Sequence, residues 1–180
     1  LIALYAAMKG YITPQRIILS SPLLGIPNQP LPRLVSKPLA YCLNAVGMAK
    51  GYLDKEKYPK VPFHGNPLTH DEAKFQEMKQ APYPCRSITF GWLYATYEAL
   101  SYIYSEEALR KFKIPVYILT AEDEQVVDPL GSQKFINQAR KFCTQPLVLE
   151  QIANAKHELL YEEEFYYRQA LAKIGGWLEA

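Results

Sequence analysis

Two short apolar runs constrain the fold more than anything else in this chain. They are Ile114-Pro115-Val116-Tyr117-Ile118-Leu119-Thr120 and Leu147-Val148-Leu149-Glu150-Gln151-Ile152. A short, nearly unbroken apolar run is the pattern of a strand covered on both faces, as in a parallel sheet. Each run leads into a polar loop and then into apolar residues at helical spacing. Those residues are Phe135, Ile136, Ala139 and Phe142 after the first run, and Tyr167, Leu171, Ile174 and Leu178 after the second. Strand, helix, strand, helix predicts an α/β fold: a mostly parallel sheet covered by helices. A third run, Arg16-Ile17-Ile18-Leu19-Ser20-Ser21-Pro22, has the same character. It follows Leu1–Met8, which is apolar on every side and reads as a helix buried in a core. The expectation is that the chain opens inside a domain, with further elements before Leu1.

Between the first and second strands the character changes. Residues 23–110 hold most of the prolines and no strong strand signal. Helices are expected at about 31–50, from Thr69, over 91–103 and from Ser105. The first has Leu34, Val35, Leu39, Leu43 and Val46 on one side, Pro38 within it and Gly51 just past its end. In the second, Thr69-His70-Asp71-Glu72 fits a capping box. So long a connection is a subdomain rather than a crossover, and helices inserted at a sheet edge often form a lid. The expected division is sheet core over 1–22, helical cap over 23–110, and sheet core again over 111–180.

Composition excludes several classes. Of 180 residues, 49% are hydrophobic and 21% charged, enough for a sizeable core. A net charge of +2 with no basic block gives no basis for nucleic-acid binding. No apolar run reaches membrane-spanning length. Cys42, Cys85 and Cys143 are an odd, scattered set that suggests reduced thiols in the cytoplasm rather than a disulfide framework. The lysines near 50–60 are interrupted by acids and read as a solvated face; contact with an anionic surface of the inner membrane is the alternative.

In open α/β sheets the chemistry sits on loops after the strands. The loop after the first long run, Ala121-Glu122-Asp123-Glu124-Gln125-Val126-Val127-Asp128, is acidic; the loop after the second carries His157. If the strands are neighbours, an acid on one loop can accept the Nδ1–H of His157, fix its tautomer and stabilise the imidazolium. Position alone does not say which acid of the loop does so, and Asp128 before Pro129 also reads as a helix N-cap. A Gly-x-Ser-x-Gly nucleophile turn is absent from the sequence. Ser20-Ser21 lacks the glycines and reads as a strand-end pair, and Ser132 falls in a helix's first turn. The serine is expected a few residues before Leu1, where a turn feeding the first helix belongs. His64 and His70 have no third ligand at metal-binding spacing and read as polar cap residues.

These features, in order, resemble the α/β-hydrolase fold, and within it the lysophospholipase and monoacylglycerol lipase group, most of all the bacterial lysophospholipase L2 type. Leu1–Met8 resembles the helix after that family's serine turn. Asn66-Pro67-Leu68-Thr69-His70 and Thr89-Phe90-Gly91-Trp92-Leu93 resemble two of its cap motifs, the second departing from the family's Gly-Pro. Residues 121–128 resemble its acid loop, and Ala155-Lys156-His157-Glu158-Leu159-Leu160-Tyr161-Glu162 its histidine loop, with Arg168 continuing the pattern. The resemblance implies hydrolysis of a lysophospholipid or monoacylglycerol ester without metal or organic cofactor. It places the acid at Glu124, ahead of Gln125-Val126-Val127, with Asp123 and Asp128 as alternatives. It also implies that the cap shapes the acyl site, where Trp92, Tyr94 and Tyr97 are possible lining residues or simply helix packing. An aminopeptidase, another small-ester hydrolase, or a non-catalytic fragment or binding module are the other readings.

Overall fold

A computed structural model describes residues 1–27, 33–53, 62–81 and 87–179. Its centre is a parallel sheet of β1 (Ile17–Ser20), β2 (Val116–Ala121) and β3 (Leu147–Ile152), in the order β1-β2-β3. Ile17 stands opposite Val116, and Val116 opposite Leu147. The helices are α1 (Ile2–Met8), α2 (Arg33–Ala45), α3 (Glu72–Gln80), α4 (Phe90–Ile103), α5 (Glu106–Lys111), α6 (Gly131–Ala139) and α7 (Glu164–Glu179). The expected α/β architecture is present.

Alternation along the strands feeds two layers. Val116 and Ile118 join Ile17 and Leu19 in a core with α1, α5, α6 and the end of α4, through Leu4, Leu109, Phe135 and Ile103. Tyr117, Leu119 and Ala121 point the other way, onto Ala170, Ile174 and Trp177 of α7. Helices α2 to α5 all fall between β1 and β2 in the chain, yet the end of α4 and Ala108 and Leu109 of α5 pack into the sheet's own core. Helix α2 instead lies along α4, where Ala40 packs against Leu93 and Tyr97.

Four local expectations are corrected. The apolar side of the helix expected at about 31–50 is largely in solvent: Leu34 is 90% exposed, Val46 71% and Val35 51%. The small Ala40 makes the contact because α2 approaches α4 closely. The N-cap of α3 is Asp71, which accepts from the Lys74 N–H at 3.0 Å, because the Thr69 hydroxyl is committed elsewhere. Asp128-Pro129 does not cap α6, which begins at Gly131. On α7 the inward positions are Ala170, Ile174 and Trp177, while Leu171 and Leu178 are exposed.

One joint positions the acid loop. The chain leaving β1 passes so close to the start of α6 that a Cβ on Gly131 would lie 2.8 Å from the Gly25 nitrogen and 3.0 Å from the Leu24 carbonyl carbon. The Asp128 N–H donates to the Gly25 oxygen (3.2 Å), and the Tyr104 hydroxyl sits between the Leu24 and Gly131 oxygens, at 2.8 and 3.0 Å. Since the obstacles are backbone atoms, Gly131→Ala is expected to destabilise the full-length protein by about 1–3 kcal/mol, measured by urea unfolding. Wild-type stability in that variant would show that the joint can open freely.

Candidate functional site

The ends of β2 and β3 are laced together. The Glu122 N–H donates to the Ile152 oxygen at 3.1 Å and the Asp123 N–H to the Ala155 oxygen at 3.0 Å. Asn154 takes a positive φ of 56°, which asparagine tolerates, and its N–H donates to Glu122 Oε2 at 2.8 Å. This lacing holds the acid loop and the histidine loop side by side.

Across them, His157 Nδ1 lies 2.9 Å from Glu124 Oε1 and 2.8 Å from Oε2. Glu124 Oε1 also accepts the Val126 N–H at 2.8 Å and the Val127 N–H at 3.1 Å. A carboxylate so surrounded by donors has nothing to give, so Nδ1 carries the hydrogen and the neutral ring's Nε2 keeps its lone pair. The Glu124 side chain is 3% exposed and that of His157 16%. Burial works to raise the Glu124 pKa. The hydrogen bond and charge of His157, with the two backbone N–H groups, outweigh it and hold the carboxyl below its ordinary value.

The other acids on the loop face elsewhere. Asp123 is exposed and accepts from the Gln125 side chain at 2.7 Å. Asp128 Oδ1 accepts the Leu130 N–H at 3.0 Å, and its Oδ2 pairs with Lys134 at 2.9 Å. Ser20 ends β1, and Ser21 follows at a positive φ of 38° with its hydroxyl buried. Ser132 is buried in the first turn of α6. Of the aromatic residues considered for an acyl site, Trp92 is 46% exposed and Tyr94 packs on Tyr41. Tyr97 is buried between α4 and α2, where its hydroxyl bonds that of Ser36. His64 is exposed. Among the described residues no cluster of His, Cys, Asp or Glu could hold a metal ion, and no helix is long and apolar enough to cross a membrane. Cys85 and most of the 50–60 lysine run lie outside the described residues.

Sequence reasoning missed a second His–Glu pair beside the first. Glu162 is fully buried and accepts five hydrogen bonds. Its Oε1 takes His70 Nδ1–H at 2.7 Å and the Lys156 N–H at 3.0 Å. Its Oε2 takes the Thr69 hydroxyl at 3.0 Å and the His70 and Glu163 N–H groups, both at 2.8 Å. Asn66, also buried, uses both ends of its amide to fix the turn 66–69: Oδ1 accepts from Leu68 and Thr69, and Nδ2 donates to the Phe63 and Thr69 oxygens. That turn runs along the histidine loop. The His157 N–H donates to the Pro67 oxygen at 3.3 Å, and the Glu158 N–H to the Leu68 oxygen at 2.9 Å.

Burial would raise the Glu162 pKa, but the N–H groups of His70, Lys156 and Glu163 and the His70 side chain prevail and lower it. Both Glu124 and Glu162 therefore titrate lower in the folded protein than in the unfolded chain, whose glutamates titrate near 4.5. Such groups stabilise the fold above that pH, and the stabilisation disappears as pH falls through the lowered native values. The urea midpoint of the full-length protein is thus expected to be steady near neutrality and to drop on acidification below about pH 4.5. The drop should be shallower in Glu162→Gln. An equally steep drop in that variant would mean that Glu162 is not the group responsible.

The sequence matches a protein-family model described as "Serine aminopeptidase, S33" over residues 1–164. It is 27% identical over 177 aligned positions to the probable lysophospholipase L2 of Haemophilus influenzae, covering 91% of this chain and 51% of that protein. The fold is similar to a soluble variant of monoglyceride lipase from Saccharomyces cerevisiae crystallised with a substrate analogue, with a TM-score of 0.74 at 21% identity, over 99% of this chain and 60% of the other. It is also similar to the monoacylglycerol lipase of Paleococcus ferrophilus, with a TM-score of 0.75 at 16% identity, over 98% and 63%. The chain thus spans about half the length of the curated relative it matches.

Proposed function

We propose, for a chain that belongs to the serine aminopeptidase S33 family of hydrolases and has the α/β-hydrolase fold, that the full-length protein is a serine hydrolase of carboxylic esters. Its substrates are lysophospholipids or monoacylglycerols. The observation that carries this reading is the hydrogen bond from His157 Nδ1 to Glu124 across the ends of β2 and β3. In the neutral ring it leaves the Nε2 lone pair free to accept a proton. The nucleophile is a serine on the N-terminal side of α1.

In this mechanism Nε2 of His157 takes the serine hydroxyl proton as the oxygen attacks the ester carbonyl. Backbone N–H groups near that serine hold the charge on the tetrahedral oxygen. His157 then passes the proton to the departing glycerol oxygen, leaving an acyl-serine. Water, deprotonated by the same nitrogen, then attacks the acyl carbonyl; the bond to the serine oxygen breaks, that oxygen takes the proton back from His157, and the fatty acid is released. Glu124 stays ionised throughout and stabilises the imidazolium. The stretch between β1 and β2 acts as the cap, and the names of the relatives support a single fatty acyl chain as its guest.

The family's description favours a second reading, cleavage of an N-terminal amino acid. The same dyad serves either leaving group, so substrate panels separate them. The full-length protein is expected to hydrolyse monoacylglycerol and lysophosphatidylcholine and to leave aminoacyl p-nitroanilides nearly untouched. Preference for the anilides would make it a peptidase. Turnover of neither class would leave a binding module.

A further inference from the structure

We propose that Glu162 is a positioning residue for His157, and that through it the segment 66–70 sets the orientation of the base. The inference rests on the reading of His157 as the general base. Lys156, whose N–H is held by Glu162 Oε1 at 3.0 Å, is the residue directly before His157. The two following N–H groups, of His157 and Glu158, are held by the Pro67 and Leu68 oxygens. Three consecutive backbone N–H groups around the base are therefore fixed either by Pro67 and Leu68, some ninety residues earlier in the chain, or by the carboxylate that binds the next two residues of that segment, Thr69 and His70. Lys156 Nζ adds a contact to the Thr69 oxygen at 3.4 Å.

All five groups aimed at Glu162 are donors, and only a carboxylate suits them all. In Glu162→Gln one oxygen becomes an NH2 group. Placed at Oε1, it faces the Lys156 N–H; the His70 ring can change tautomer to meet it, but a backbone N–H cannot. Placed at Oε2, it faces two backbone N–H groups and the Thr69 hydroxyl. Either way the histidine loop loses a fixed point while His157 and Glu124 remain chemically intact. His70 is the second half of the device: its ring is stacked on Tyr166, with centroids 5.2 Å apart, which holds Nδ1 toward the carboxylate.

The test uses the full-length protein, with monoacylglycerol turnover and the downfield proton resonance of His157 Nδ1–H as readouts. Glu162→Gln is expected to lower kcat about 10–100-fold with KM within about twofold, because sub-ångström displacement of a base acts on the reaction step. The Nδ1–H resonance should shift or broaden. His70→Phe, which keeps the stack and removes one donor, should lower kcat about 3–10-fold with a smaller change in the same resonance. If Glu162→Gln does not fold, His70→Phe decides. Unchanged kcat and an unchanged resonance in the folded variants overturn the proposal while leaving His157 as the base. A fall in activity expressed wholly in KM, with the resonance unmoved, also overturns it. Wild-type turnover in His157→Ala overturns the proposed function, and this inference with it.

Discussion

His157→Ala in the full-length protein is expected to lower kcat/KM for a monoacylglycerol or lysophospholipid ester by about 10⁴-fold or more, with KM little changed. Without the imidazole, the serine hydroxyl has no acceptor for its proton, and the leaving glycerol oxygen has no donor. Binding of the acyl chain uses other contacts, so the loss belongs to kcat. The remaining His70 does not take its place beside Glu124, because its ring is held against Glu162 and stacked on Tyr166. Circular dichroism separates lost chemistry from lost fold. Turnover within about tenfold of the unaltered protein would remove His157 from the mechanism.

Glu124→Gln is expected to lower kcat about 10³–10⁴-fold, an effect of tautomer as much as of charge. The amide can turn its NH2 toward the ring, which draws the imidazole hydrogen onto Nε2 and leaves the reactive nitrogen with no lone pair to offer. If it turns its oxygen there instead, the NH2 opposes the Val126 and Val127 N–H groups now bonded to Oε1. Asp123→Ala should leave kcat within about twofold, since that carboxylate is exposed and bonded to Gln125. The reverse result, with activity lost in Asp123→Ala and kept in Glu124→Ala, would move the orienting role one residue back.

The strands and their loops were legible because a doubly covered strand leaves an unbroken apolar run, and such a run cannot be built from surface residues. The acid was only partly legible. Loop position gave only an acidic loop, and family resemblance rather than spacing singled out Glu124, with Asp123 and Asp128 as alternatives. What separates the three is direction: Asp128 turns to Lys134 and the Leu130 N–H, and Asp123 to Gln125, neither of which periodicity encodes. The stripe on α2 shows the same limit. Helical spacing reveals that Leu34, Val35 and Val46 share a side, but not whether another element covers it. Glu162 was hidden for a different reason. It opens the run Glu162-Glu163-Glu164, and only the fold distinguishes the buried first member from the exposed pair. Likewise Thr69 has the local appearance of a cap, while its hydroxyl bonds a carboxylate that is remote in sequence.

The pairing of β1 with β2 joins residues on either side of the longest excursion in the chain, since Ile17 stands opposite Val116. The entropy of closing a loop grows only with the logarithm of its length, so doubling such an excursion costs about 0.6 kcal/mol. The excursion is anchored near its two ends, by the Gly25–Gly131 joint and by α5 packed in the core. Closure entropy thus sets little penalty on a change in the length of its middle, provided the segment touching the histidine loop is kept. The same architecture has almost no room for one methyl group at Gly131. As a polymer, this fold is indifferent to tens of residues in one place and intolerant of a single carbon in another, which is where a lineage of such proteins would be free to change its substrate and where it would not.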